Sequence, residues 1–235
     1  MRRNLSRAAK AYIAATSGLA LALAILLWQV PVRPAQPAAV LIVIGFGMLA
    51  HAFPVQAARH QAYQATLPFI VLAAALFSTP QLLGFILLIH LAEQLRTRRP
   101  WYIQFFNVCD YFVSAAIAGL FYRFAAGGPQ VNPLAGIEAG LAAGCAFVLI
   151  NRLMLSGILW VARGVSLVSS GLFKADLLAA DLVITWVSTP MLILGAMAGP
   201  WAMLLSVGPL FLVRPALSYL LTQGSRSMQR EASAA

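Results

Sequence analysis

Charge is scarce in this chain, and negative charge scarcest of all: 9% of its 235 residues are charged, 6 of them acidic against 16 Lys and Arg. A soluble domain carries about a quarter charged residues, so this composition excludes an ordinary water-exposed fold. Long polar linkers are missing as well. The one well-punctuated loop, with Gly127, Gly128, Pro129 and Pro133, leaves no room for a soluble domain. Cysteine is limited to Cys109 and Cys145, unrelated in spacing and set in apolar surroundings. They form no CxxC, no HExxH accompanies them, and neither a metal nor a cofactor is expected. Period-2 alternation is absent, which excludes a membrane β-barrel.

What the chain has is apolarity: 61% hydrophobic residues and a mean hydropathy of +0.85. Backbone groups in hydrocarbon must be satisfied within the segment, so the long apolar runs are predicted to be helices. The expected fold is all-α, a polytopic integral membrane protein of about eight crossings, with six to eight compatible with the pattern. The segments are Ala11–Val32, Ala38–Phe53, Leu67–Phe77, Gln81–Leu95, Phe105–Tyr122, Leu134–Trp160, Asp176–Ala198 and Trp201–Leu221. The third and fourth are short against the roughly 20 residues of a full span. A basic N-terminus (1–10) precedes the membrane domain (11–221), and a short tail (222–235), rich in Ser, Ala and Arg, follows it as an expected disordered segment.

Basic residues gather at alternate ends of these segments. With the N-terminus inside, twelve of the sixteen fall on the cytoplasmic side, Arg33 and Arg123 fall outside, and Arg152 and Arg214 lie within spans. That bias predicts an N-in, C-in topology in a bacterial cytoplasmic (inner) membrane. Bases in short loops beside apolar helices serve insertion and anionic lipid, so the lipid bilayer is the expected partner and nucleic acid is not.

Ionisable groups inside spans are costly and mark candidate sites. Placed by depth at about 1.5 Å per residue, His90, Glu93, Asp110, Arg152, Asp181 and Arg214 share one layer in the inner third of the bundle. Two readings stand side by side. In one, Arg152 pairs with Asp181 and Arg214 with Asp110, bracing the helices; in the other, the layer lines a cavity for a polar ligand, proton or ion. Asp181, Thr185 and Ser188 recur at i, i+4 and i+7 on one face, and Pro190 predicts a kink. Gly136, Gly140 and Gly144 form a small-residue stripe for close helix approach, within the bundle or between copies. Arg59, His60 and Tyr63 belong to an unusually polar interfacial loop between Pro54 and Pro68. Arg96, Arg98 and Arg99, with Trp101 and Tyr102 after Pro100, form a basic and aromatic elbow that reads as a lipid anchor. His90 and Glu93 share a helical face at i, i+3, a spacing compatible with metal ligation but without a second matching pair.

The stretch Arg98-Arg99-Pro100-Trp101-Tyr102 leading to Phe106-Asn107, with Phe53-Pro54-Val55 upstream and Leu149-Ile150-Asn151 downstream, resembles the multi-helix membrane sensor region of bacterial HD-GYP and GGDEF signalling proteins. The resemblance spans Ala38 to Leu221 through short motifs. It implies a ligand-binding membrane module in which Asn107 and Asn151 are inward polar residues. The chain ends about fourteen residues after its last predicted helix, so no catalytic domain is expected here and signalling would pass through a membrane or cytoplasmic protein partner.

No nucleophile–base pair, paired catalytic carboxylates or phosphate loop is visible, and an enzyme is not expected. The leading expectation is a non-enzymatic membrane module that binds a small or lipophilic ligand in its bundle, as a sensor or a substrate-binding subunit. A proton- or ion-coupled secondary transporter and a structural subunit of a membrane complex are the alternatives.

Overall fold

A computed structural model describes residues 5–32, 34–53, 55–56, 62–63, 65–127 and 133–211. Most of these residues are helical, joined by short turns and loops, and one two-residue antiparallel ladder pairs β1 (Val55–Gln56) with β2 (Ala62–Tyr63). The helices are α1 (Arg7–Trp28), α2 (Pro37–Ala52), α3 (Leu67–Leu76), α4 (Thr79–Thr97), α5 (Trp101–Ala125), α6 (Pro133–Arg163), α7 (Ala175–Trp186), α8 (Ser188–Ala198) and α9 (Pro200–Phe211).

Local signals account for the ends. Ser6 caps α1 by accepting from the Ala9 N–H at 3.1 Å, and Ser78 with Gln81 forms a capping box on α4. Gly164, at φ +68°, closes α6 in the left-handed conformation that glycine adopts freely. The break between α7 and α8 falls at Val187, and Pro190 explains it: proline has no N–H to offer the Trp186 carbonyl and its ring crowds that turn.

Among the described residues four helices are long and apolar enough to cross a membrane: Arg7–Trp28, Trp101–Ala125, Ala135–Arg163 and the joined α7–α8, Leu177–Ala198. The expected third crossing is instead a helix of 10 residues. It rises about 15 Å, half of a hydrocarbon layer. Its residues from Leu67 to Ala75 are buried without exception, so α3 is a core helix surrounded by α2, α4, α5, α6, α7 and α8. α4, with Gln81, His90, Glu93, Gln94 and Arg96 along its 19 residues, is not among these four apolar spans.

α5 is the central long helix, packed most extensively on α6 and also on α1, α3 and α4. It meets α3 backbone to backbone: a Cβ on Gly119 would lie 2.6 Å from the Ala74 carbonyl oxygen. α1 is the opposite case, with Leu21, Ile25, Leu26 and Trp28 turned outward on an apolar surface. Such a surface matches lipid rather than water.

From α2 to α5, successive helices alternate in direction. His51 at the end of α2 meets Thr66 at the start of α3 and His90 near the end of α4. Glu93 meets Gln104 at the start of α5. The opposite ends, around Ala35, Leu76 and Arg123, face one another across a cavity.

Candidate functional site

Polar side chains collect where α2 and α4 end and α3 and α5 begin. The α4–α5 elbow builds this cluster. Arg98 caps α4 in the left-handed conformation at φ 49°, Pro100 precedes α5, and the Gln94 amide donates to the Arg99 carbonyl at 2.8 Å. The elbow folds Arg99 back onto Glu93, with 3.2 Å between Nη2 and Oε1. The Gln104 amide donates to Glu93 Oε2 at 3.1 Å and to the His90 carbonyl at 3.3 Å, and the Asn107 amide reaches Gln104 Oε1 at 3.4 Å. His51 completes the cluster. Its Nε2 lies 3.3 Å from His90 Nδ1 and 3.5 Å from Glu93 Oε2, while its Nδ1 lies 3.3 Å from the Thr66 hydroxyl. His51, His90 and Glu93 are 3%, 3% and 4% exposed, and Tyr111 stands edge to face with both imidazoles.

The remaining polar residues of the expected layer form other groups. Asp110 accepts from the Ser114 hydroxyl and from the Asn151 amide, each at 3.2 Å, so neutral donors from α5 and α6 hold it. Arg152 pairs with Asp181 through both Nε and Nη2, tying α6 to α7. Arg214 lies outside the described residues, as do Arg59 and His60; the Tyr63 backbone belongs to β2. Thr185 and Ser188 are fully buried on the helix face they share with Asp181.

The elbow bases are engaged within the protein more than a simple lipid anchor requires. Arg96 donates to the Ala52 carbonyl and lies over the Phe53 ring at 4.7 Å, Arg99 pairs with Glu93, and Arg98 serves as the cap. Trp101 is exposed and packs edge to face on Tyr102. Gly140 and Gly144 let α6 approach α7 and α8. A Cβ at Gly140 would lie 2.7 Å from Thr189 Oγ1, and one at Gly144 3.0 Å from Thr185 Cγ2.

At the other end of the helices lies a cavity of about 980 Å³. Ala39, Leu76, Leu192, Met197 and Met203 contribute to its wall, with Gly136 of the small-residue stripe. Its polar lining comes from Gln36, Tyr122 and Arg123. Arg123 forms no ion pair among the described residues, and its buried Nε has no hydrogen-bond partner there.

Sequence reasoning passed over His51 and Gln104, and it placed Thr66 only among the polar residues of the interfacial loop and Arg123 only among the outside bases. A histidine within an apolar span is itself a signal for His51, by the same rule that singled out His90. Arg123 entered the charge count as a loop residue, and only the packing of α2, α3 and α8 around it shows an apolar chamber. Comparison of the chain with known protein families, with curated proteins and with solved structures finds no match.

Proposed function

We propose that this chain is a non-enzymatic, multi-pass module of the bacterial cytoplasmic membrane, with both termini inside. In this reading it binds an amphiphilic anion in the cavity between α2, α3, α5 and α8 and reports or passes that ligand to a partner chain. The observation that carries the reading is Arg123, which lines a largely apolar cavity of about 980 Å³ and forms no ion pair among the described residues. That volume stands at the upper end of small-molecule sites, which run to about 1,000 Å³ and join apolar walls to a few polar groups. An acyl chain would fill the apolar part, and a carboxylate or phosphate would take the planar donors of Arg123.

The inside placement of the termini rests on the basic bias of the loops. It puts the Glu93 cluster toward the cytoplasm and the Arg123 cavity toward the outer leaflet, where an amphiphile could enter from lipid.

Extraction and mass spectrometry of small molecules retained by the chain in nanodiscs tests the proposal. The expected result is about one anionic amphiphile per chain, lost in Arg123→Leu while helicity and melting stay unchanged. Equal retention by both forms would overturn it. Proton-coupled uptake into liposomes by the isolated chain would make it a transporter instead.

A structural subunit is the second reading, favoured by the Arg152–Asp181 pair and the close fit of Gly140 on Thr189. It expects no retained ligand at all.

A further inference from the structure

We propose that His51, His90 and Glu93 form a binding site for one divalent transition-metal ion. The three donor atoms, His51 Nε2, His90 Nδ1 and Glu93 Oε2, are 3.3, 3.5 and 3.7 Å apart. A tetrahedral ion with bonds of about 2.0–2.2 Å has ligand atoms about 3.3–3.6 Å from one another, so the triangle already has the dimensions of one tetrahedral face. The donors come from α2 and from two positions three residues apart on α4, rigid elements that hold them without a loop. His90 and Glu93 alone are half a site; His51 supplies what their i, i+3 spacing lacked.

The donor chemistry selects the class of ion. Two imidazoles and one carboxylate suit Zn²⁺, Co²⁺ or Ni²⁺, whereas Ca²⁺ and Mg²⁺ take oxygen ligands. Groups outside the triangle orient two of the three ligands in the manner of metal sites. The Thr66 hydroxyl lies 3.3 Å from the outer nitrogen of His51, and the Gln104 amide donates to Glu93. Arg99 is the competing cation at Glu93. Its side chain is 45% exposed, so it can withdraw to the interface when an ion takes over neutralisation of the carboxylate. Three protein ligands leave the fourth position of the tetrahedron to water or to an exogenous donor.

The full chain, purified without a histidine tag, carrying C109S and C145S, and stripped with chelator in nanodiscs, is titrated with Co²⁺ alone and then with Zn²⁺ alone. The expected result is one Co²⁺ per chain with the intense visible absorption of a four-coordinate ion, displaced by equimolar Zn²⁺. His51→Ala lowers Zn²⁺ affinity by roughly 100-fold or more, at least the loss seen when an outer-shell partner is removed. Absence of stoichiometric uptake, a weakly absorbing six-coordinate spectrum, or equal affinity in His51→Ala overturns the proposal. Should His51→Ala not fold, X-ray absorption of the Zn²⁺-loaded chain decides: imidazole scattering supports the site, and its lack overturns it.

Discussion

The two ends of α5 solve opposite problems. At its start, Gln104 and Asn107 join a buried cluster in which Glu93 meets a donor or a cation at each oxygen. At its end, Arg123 brings a guanidinium to a largely apolar wall and forms no ion pair among the described residues. Burial of a polar group is costly unless a partner is present, and far more so for a charge. At the first end the partners are other helices, so the polar groups hold the bundle together. At the second, the described residues give Arg123 no acidic partner and set it beside an open cavity, and this is the arrangement expected of a site whose partner comes from outside.

Substitution should separate the ends. Glu93→Leu removes the carboxylate that the buried Gln104 amide and the His51 and His90 rings face and should destabilise the chain by about 3 kcal/mol in denaturant titration, since it strands buried polar groups. A loss under ~1 kcal/mol would erase the contrast between the two regions.

The Arg152–Asp181 pair belongs to neither end and calibrates the cost of a broken ion pair. Asp181→Asn should cost about 2–3 kcal/mol, while the double change R152M/D181L should recover most of that loss, because an apolar pair of similar volume replaces the buried charges. Failure of the double variant to recover would show that the pair serves more than bracing.

Gly119 lies near the Arg123 end, where α5 touches α3. Gly119→Ala forces a Cβ to within 2.6 Å of the Ala74 carbonyl oxygen, a backbone atom that moves only with its helix. A loss of about 2 kcal/mol is expected, together with weakened ligand retention, because Ala75 and Leu76 of the same helix line the cavity. Thermal melts and retention assays on the same preparation check both effects. The smallest change is a gain: Arg98→Gly relieves a left-handed residue at the α4 cap and should stabilise the chain by about 0.5–1 kcal/mol.

Helical class and membrane character were legible in the sequence, because apolar runs and sparse charge act through length and composition alone. The pairing of Arg152 with Asp181 was legible too, from depth on neighbouring helices. α3 was not legible as a core helix, because the run Leu67–Leu76 is equally apolar whether it faces lipid or other helices; only its length hinted otherwise. The His51–His90–Glu93 cluster escaped for a different reason. Its members are 39 and 3 residues apart along the chain, and that α2 and α4 bring their ends together is a property of packing. Arg123 looked like a loop base because a chamber has no local signature; its walls come from five segments.

Binding of a fluorescent long-chain carboxylate to the chain in nanodiscs, compared with Arg123→Leu, tests the central claim most directly. The account predicts saturable binding at about one probe per chain and a roughly 100-fold loss in Arg123→Leu, as for a desolvated charge pair that loses one partner, with no loss of thermal stability. Equal affinity in the two forms, or a variant that melts as Glu93→Leu does, would contradict it.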